Sequence, residues 1–141
     1  MGRALVLRRV LLLGLLIAAS STAEEPKVAY WLHCAGCHLL DGSGAPPEVP
    51  TLIAEPGIIA ALPGGREYLI RIPGVAQAGM DNARLAGVLN YMLEAFSPEE
   101  LNQFTPFSAE EVGRHRDRVL KDPLKARARL LAGHQLEAQA D

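Results

Sequence analysis

The chain has 141 residues, 49% of them apolar, and its 14 lysines and arginines stand against 16 aspartates and glutamates, for a net charge of −2. With a single short basic stretch that is not interleaved with aromatic residues, this balance does not indicate nucleic-acid recognition. No internal repeat is visible, and the length is that of one domain behind a leader.

Residues 1–23 have the pattern of a secretory signal peptide. Arg3, Arg8 and Arg9 form a positive start, an apolar run covers residues 10–19, and small residues precede a cut after Ala23. The run is short for a membrane span, although an uncleaved anchor is the alternative. The pattern therefore predicts export, a periplasmic location, and contact with a membrane only through the export signal.

The next segment carries the most informative motif of the chain. A first helix is predicted from Pro26, a residue suited to a first helical turn, to about Cys37. Its end contains Cys34-Ala35-Gly36-Cys37-His38, the C-x-x-C-H signature of covalent c-type haem attachment. Two thiols at this spacing can bond to the two vinyl groups of one haem, while the adjacent imidazole becomes an axial ligand of the iron.

Other uses of a C-x-x-C pair compete with haem attachment. A four-ligand zinc site needs further Cys or His at metal spacing, and the remaining histidines form no such pair. A thioredoxin-like site needs a βαβ pattern, which is not visible here, and a structural disulfide does not need His38. The predicted export signal strengthens the haem interpretation, because bacteria attach haem c outside the cytoplasm.

The rest of the chain predicts helices and no strands. Short helices are expected at residues 58–62 and 66–72, each stopped by a Pro-Gly pair. The clearest helix covers residues 81–96, where apolar residues follow the helical period and Asp81 or Asn82 can act as the cap. The overall expectation is an all-α protein.

Two capping-box patterns follow this helix. Ser97 and Glu100 predict a short turn, and Ser108 and Glu111 predict the start of a last helix that runs to about Leu120. The helix should break near residues 122–123, and a further turn or helix is expected at residues 124–131. The segment 113–129 holds seven basic groups, whereas residues 24–112 hold four basic and twelve acidic ones.

Residues 27–96 resemble the small class I bacterial cytochromes c. The match rests on the motif, on Tyr30 and Tyr91 where the family has a packed aromatic pair, and on Pro50-Thr51-Leu52. The resemblance implies a fold around one haem attached through Cys34 and Cys37. It also implies that the carbonyl of Pro50 accepts a hydrogen bond from His38, which orients the ring and raises its basicity.

The chain departs from the family in two places. The family often has glycine eight residues before the first cysteine, where this chain has Pro26, so the first and last helices of the fold are expected to cross more loosely or at a shifted point. The chain also continues past the usual end of the fold. We divide it into a cytochrome c domain at residues 24–105 and a basic helical extension at residues 106–141.

The sixth iron ligand is the least determined part of the site. The family places a methionine there from a loop before the last helix, which favours Met80 over Met92, a residue of the apolar stripe at 81–96. Met80 also lies close enough to the predicted helix start to be a hydrophobic staple, in which case the iron stays open. His33, His115 and His134 are poor substitutes.

Polar groups for the haem propionates are expected among Arg66, Tyr68 and Arg71, for which ordinary surface roles are equally compatible. The predicted function is that of an electron carrier rather than an enzyme, working between a donor dehydrogenase and an acceptor such as a terminal oxidase or another cytochrome. The alternatives are a gas sensor or redox enzyme with an open distal site, and a haem subunit of a larger redox complex.

Overall fold

The computed structural model describes residues 24–101 and 104–138, and the prediction of a signal peptide at residues 1–23 lies outside them. Within these ranges the chain is all-helical and contains no strand, which confirms the predicted fold class. One short helical turn of the 3-10 type covers Pro98–Glu100. The α-helices are α1 (Pro26–His33), α2 (Ala35–His38), α3 (Glu55–Ala61), α4 (Gly65–Arg71), α5 (Pro73–Ala76), α6 (Asn82–Phe96), α7 (Ala109–His115) and α8 (Pro123–Ala138).

Helices α1 and α6 pack against each other and form the centre of the fold. Tyr30 of α1 is fully buried, with its ring 5.7 Å from that of Tyr91 and 5.3 Å from that of Phe96. A Cβ atom on Gly87 of α6 would lie 3.3 Å from the Cγ of Pro26, so the small residue at this contact comes from α6. The glycine that the family places on the first helix is thus matched here by one on the opposite helix.

Helix α6 begins as the sequence predicts. The Asp81 carboxylate accepts a hydrogen bond from the backbone N–H of Arg84 at 2.8 Å, which confirms the cap. One face of the helix is buried in the core and consists of apolar side chains: Leu85, Ala86, Val88, Leu89, Met92 and Leu93. Burial of this stripe, rather than intrinsic propensity, provides most of the stability of such a helix.

The capping box predicted at Ser97 is wrong. The Ser97 hydroxyl does not cap the following turn but accepts a hydrogen bond from the N–H of Gly57 in α3, at 3.2 Å. Ser97 is fully buried, and a Cβ on Gly57 would come within 2.7 Å of its Cβ. The hydroxyl therefore faces the buried start of α3, where a polar backbone group needs a partner more than an exposed turn does.

The extension belongs to the same hydrophobic core as the preceding helices. Phe107 and Val112 are buried among residues of α4 and α6. The cap at Ser108 is confirmed, since its hydroxyl accepts from the N–H of Glu111 at 3.2 Å. The predicted end near Leu120 is wrong: α7 stops at His115, and the N–H of Leu120 instead donates to the carbonyl of Arg71 at 2.9 Å.

Helix α8 then begins at Pro123, with Asp122 accepting from the N–H of Lys125 at 2.9 Å, and it extends beyond the predicted range of 124–131 to Ala138. In the described residues no helix is both long enough and apolar enough to cross a bilayer.

An arginine–glutamate pair fastens the extension to α4. Arg66 makes a two-pronged contact with the carboxylate of Glu111, at 2.7 and 2.6 Å, and donates to the carbonyl of Thr105 at 2.8 Å. Its guanidinium carbon lies 4.0 Å from the ring centroid of Phe107. A planar guanidinium suits both the carboxylate and the aromatic face, so the pair joins two distant parts of the chain.

We expect Glu111→Gln to lower the free energy of unfolding by about 1–2 kcal/mol, because one partner of a partly buried, charge-assisted pair is lost. Arg66 holds the pKa of Glu111 below its usual value of 4.5. The contribution of Glu111 is therefore present above that value and is lost as the pH falls through the lowered pKa of the folded state.

Denaturant unfolding from pH 7 to pH 3 tests this expectation, with Glu94→Gln as the control. Glu94 is exposed on α6 and does not contact Arg66, so its variant should retain the acid-induced loss of stability that Glu111→Gln reduces. An equal acid-induced loss in both variants would contradict the assignment.

Candidate functional site

One apolar cavity brings together most of the residues that the sequence singles out. It has a volume of about 520 Å³, within the usual range of roughly 300–1,000 Å³ for ligand and cofactor pockets. Its walls come from α1 to α6 and from α8, together with the loops between them. Of the predicted site residues, those that line it are Cys34, Cys37, His38, Pro50, Tyr68 and Met80.

The short helix α2 presents the motif to this cavity. Cys34 lies in the break between α1 and α2 and is half-buried, whereas Cys37 is exposed. The two thiols are not joined in a disulfide. Burial raises the pKa of the Cys34 thiol. Both sulfurs are thus available for bonds to a group that sits in the cavity.

The ring of His38 is oriented by the loop that follows the motif. Its Nδ1 lies 3.1 Å from the carbonyl oxygen of Pro50, the contact that the family resemblance implies. A carbonyl oxygen can only accept, so Nδ1 carries the proton and Nε2 keeps its lone pair. Partial burial lowers the pKa of His38, which further favours the neutral ring that a metal needs.

A second contact fixes the chain directly after the motif. The hydroxyl of Tyr30 donates to the carbonyl of Leu39 at 2.7 Å, and Leu39 has a φ of +57°, a left-handed value that is uncommon for leucine. Burial raises the pKa of Tyr30 to about 12, so the hydroxyl stays protonated and able to donate. The sequence predicts Tyr30 only as a packing aromatic, and nothing in the pattern indicates this bond.

Two thioethers line the cavity. Met80 lies on the loop between α5 and α6 and is 7% exposed, and Met92 lies inside α6 and is 8% exposed. Burial therefore does not distinguish them. Met92 is fixed by a regular helix, whereas Met80 is on a loop whose path is set by contacts with the rest of the protein.

The predicted propionate residues divide into two groups. Tyr68 is buried at the cavity wall, and burial raises its pKa to about 12. Arg66 and Arg71 do not line the cavity. Arg71 donates to the Glu67 carboxylate at 2.7 Å and to the carbonyl of Arg118, so its guanidinium is engaged on the outer side of α4.

The structure places a different arginine at this wall. Arg127 of α8 lines the cavity and makes a two-pronged contact with Glu55 of α3. Sequence reasoning missed it, because the basic segment 113–129 gives no signal for which of its seven cations turns inward. A contact across 72 positions is set by the fold alone.

The donor set of the cavity fits a covalently bound haem. Two free thiols, an imidazole with a free ring nitrogen and two thioethers line one apolar space, and groups of these kinds attach haem c and ligate its iron. Among the residues described, no group of three or more His, Cys, Asp or Glu side chains lies close enough to share a metal ion.

The chain is similar in sequence to known c-type cytochromes. No protein-family profile matches the chain. A cytochrome c-552 of Thermus thermophilus is 30% identical over 133 residues, which cover 81% of this chain and 90% of that protein. A second cytochrome c-552 of Thermus thermophilus is 32% identical over 109 residues, covering 64% of this chain and 83% of the relative.

The first alignment covers 81% of the chain, which is more than the 96 residues that end with α6. The similarity therefore includes part of the segment that follows α6. On the strength of this identity and coverage, the chain belongs to the monohaem c-type cytochromes, electron-transfer proteins with the all-helical class I cytochrome c fold.

Proposed function

We propose that this cytochrome is exported to the periplasm and carries single electrons from a donor dehydrogenase to an acceptor such as an oxidase or another cytochrome. The observation that carries the proposal is the shared cavity of about 520 Å³, whose wall holds both motif thiols, His38 and Met80. When bound, haem c supplies a one-electron iron couple to this site.

The chain's own residues would each have a defined task at this site. Cys34 and Cys37 would hold the haem through two thioether bonds, His38 would bind the iron through Nε2, and Pro50 would keep the His38 ring in place. Met80 would supply the other iron ligand, and the apolar walls would exclude water. Residues that keep the same ligands on the iron in both oxidation states would need little rearrangement during electron transfer.

Tyr68 and Arg127 are our candidates for the haem propionates, since both lie on the cavity wall. The contact with Glu55 raises the pKa of Arg127, so the guanidinium stays charged. Arg71 is engaged elsewhere and has no place in this proposal.

The surface beside the motif supports transient contact with a redox partner. Leu32, Leu39 and Leu40 flank Cys34–His38 in the sequence and are 68%, 48% and 66% exposed. Exposed apolar side chains grouped in this way are characteristic of interaction surfaces. We place the partner contact at this surface, beside the two thiols that would hold the haem.

An optical spectrum of the protein, produced together with haem-attachment machinery, tests the proposal. We expect a low-spin ferric form with a methionine–iron charge-transfer band, and a ferrous form that CO does not shift on mixing. A high-spin spectrum that CO shifts at once would overturn the carrier proposal in favour of a gas-binding or catalytic haem. Recovery of the haem protein in the periplasmic fraction tests the location separately.

A further inference from the structure

Backbone carbonyls of the loop that carries Met80 surround the guanidinium of one arginine of the extension. Arg116 follows directly after α7 and donates from Nε and Nη2 to the carbonyl of Ala76, at 3.2 and 3.0 Å. Nη2 also donates to the carbonyl of Ala78 at 3.1 Å, and Nη1 to the carbonyl of Met80 at 3.0 Å. Nη1 completes the set with the side-chain oxygen of Asn82 at 2.8 Å.

These contacts use the full donor capacity of a guanidinium, which has five N–H groups in a rigid fork. All the acceptors are neutral oxygens, so the bonds are charge-assisted and individually stronger than neutral ones. Among the described residues no carboxylate lies within ion-pair distance of Arg116. The side chain is therefore committed to the loop rather than shared with a counter-charge.

The loop has few other restraints of its own. Between α5 and α6 its internal backbone bonds are three: from the N–H of Gln77 to the carbonyl of Pro73, from the N–H of Ala78 to that of Val75, and from the N–H of Met80 to that of Ala78. Gln77 and Gly79 are exposed. Without Arg116, the carbonyls of Ala76, Ala78 and Met80 would lose the one cation that binds all three of them.

Helix α7 packs closely against the start of α6, so the bonds from Arg116 to the Met80 loop depend on the position of the extension. A Cβ on Gly113 would lie 2.9 Å from the Asn82 side-chain nitrogen, so the close contact at this point needs a residue without a side chain. The nearby Arg114 is exposed, and Arg118 contacts His115 and Glu67 instead. Of these neighbouring arginines, Arg116 is the one bound to the loop.

We propose that Arg116 is a positioning residue that fixes the Met80 loop and thereby sets how long the Met80 thioether stays on the iron. The inference rests on the proposed function, since it takes Met80 as the sixth ligand. It assigns the extension a task at the redox site: α7 holds the loop closed against water and exogenous ligands. Loss of Arg116 raises the population of loop-open protein without removing any group that touches the haem.

The test compares Arg116→Ala and Arg116→Lys with the matched control Arg66→Ala. Arg66 also ties the extension to the body through several bonds, but it contacts Glu111 and Thr105 and not the Met80 loop. Two properties are measured in the haem protein: the rate at which CO replaces the ligand in the ferrous form, and the temperature at which the methionine–iron band disappears relative to the helical signal.

We expect CO to bind Arg116→Ala faster by a factor on the order of ten, because several charge-assisted bonds to the loop are lost together. The methionine–iron band should disappear well below the temperature of helix loss. Arg116→Lys should fall between this variant and the wild type, since an ammonium keeps the charge but cannot span three carbonyls. Arg66→Ala should unfold earlier with an unchanged CO rate.

An unchanged CO rate in Arg116→Ala, or an equal rise in Arg66→Ala, overturns the positioning role while leaving the electron-carrier proposal intact. If Arg116→Ala does not fold, Arg116→Lys decides, and a wild-type CO rate in that variant has the same meaning. A wild-type protein that lacks the methionine–iron band overturns the Met80 assignment itself, and the inference with it, before any variant is compared.

Discussion

Replacement of Met80 by alanine is expected to abolish the methionine–iron charge-transfer band, convert the ferric protein to a high-spin form and let CO shift the ferrous spectrum at once. Met80 lies buried on the cavity wall, so the truncation removes a thioether without changing any other lining group. Thioether ligation raises the reduction potential of haem iron, so the midpoint should fall by on the order of 0.1 V or more.

Met92→Leu is the matched control for this prediction, because Met92 is equally buried and lines the same cavity. Leucine is close to methionine in volume, so we expect a cost below about 1.5 kcal/mol in stability and no change in the band. If Met92→Leu removed the band and Met80→Ala retained it, the axial role would move to α6. Absence of the band in the unmodified haem protein would exclude methionine ligation altogether.

The parts of this site that the sequence predicts are those with local signals. The C-x-x-C-H spacing predicts three cofactor-binding groups within five residues, and the apolar period of residues 85–93 identifies α6 with its Asp81 cap. In each case the residues that interact lie within about one helical turn, so the chemistry can be recognised before the fold is known.

The parts that the sequence does not predict depend on contacts between distant segments. The hydroxyl of Ser97 binds Gly57 across 40 positions, although its local pattern predicts a cap. Arg116 donates to the carbonyl of Met80, 36 positions away. No spacing rule distinguishes this arginine from the other cations of the basic segment. Helix α7 likewise ends early where Leu120 binds the Arg71 carbonyl, a bond that is set by tertiary packing.

The family pattern helps only where its residues are present. The looser or shifted crossing that it predicts from Pro26 stays a prediction, and the structure adds that Gly87 of α6 faces that proline. A close contact between two helices needs a small residue on one of them, and the position of that residue can change sides. A pattern defined on one helix cannot show this exchange.

The double variant Cys34→Ala/Cys37→Ala is expected to lack bound haem and to be largely unfolded. The inner faces of α3, α4 and α6 line the cavity, so much of the apolar core would pack against the haem when it is bound. At about 24 cal/mol per Å³, leaving 520 Å³ unfilled would cost on the order of 12 kcal/mol. This is comparable to the whole stability of a typical domain, about 5–15 kcal/mol.

Far-UV circular dichroism and limited proteolysis check this prediction, and the unmodified chain produced without haem-attachment machinery is its control. That control retains both thiols, of which Cys37 is exposed and contributes little packing, so equal unfolding in the two samples attributes the loss to haem and not to the cysteines. A helix content like that of the haem protein, with one cooperative unfolding transition in the double variant, would contradict the prediction. Such a result would mean that α3, α4 and α6 close onto one another, and that the 520 Å³ cavity is formed by haem insertion rather than required for folding.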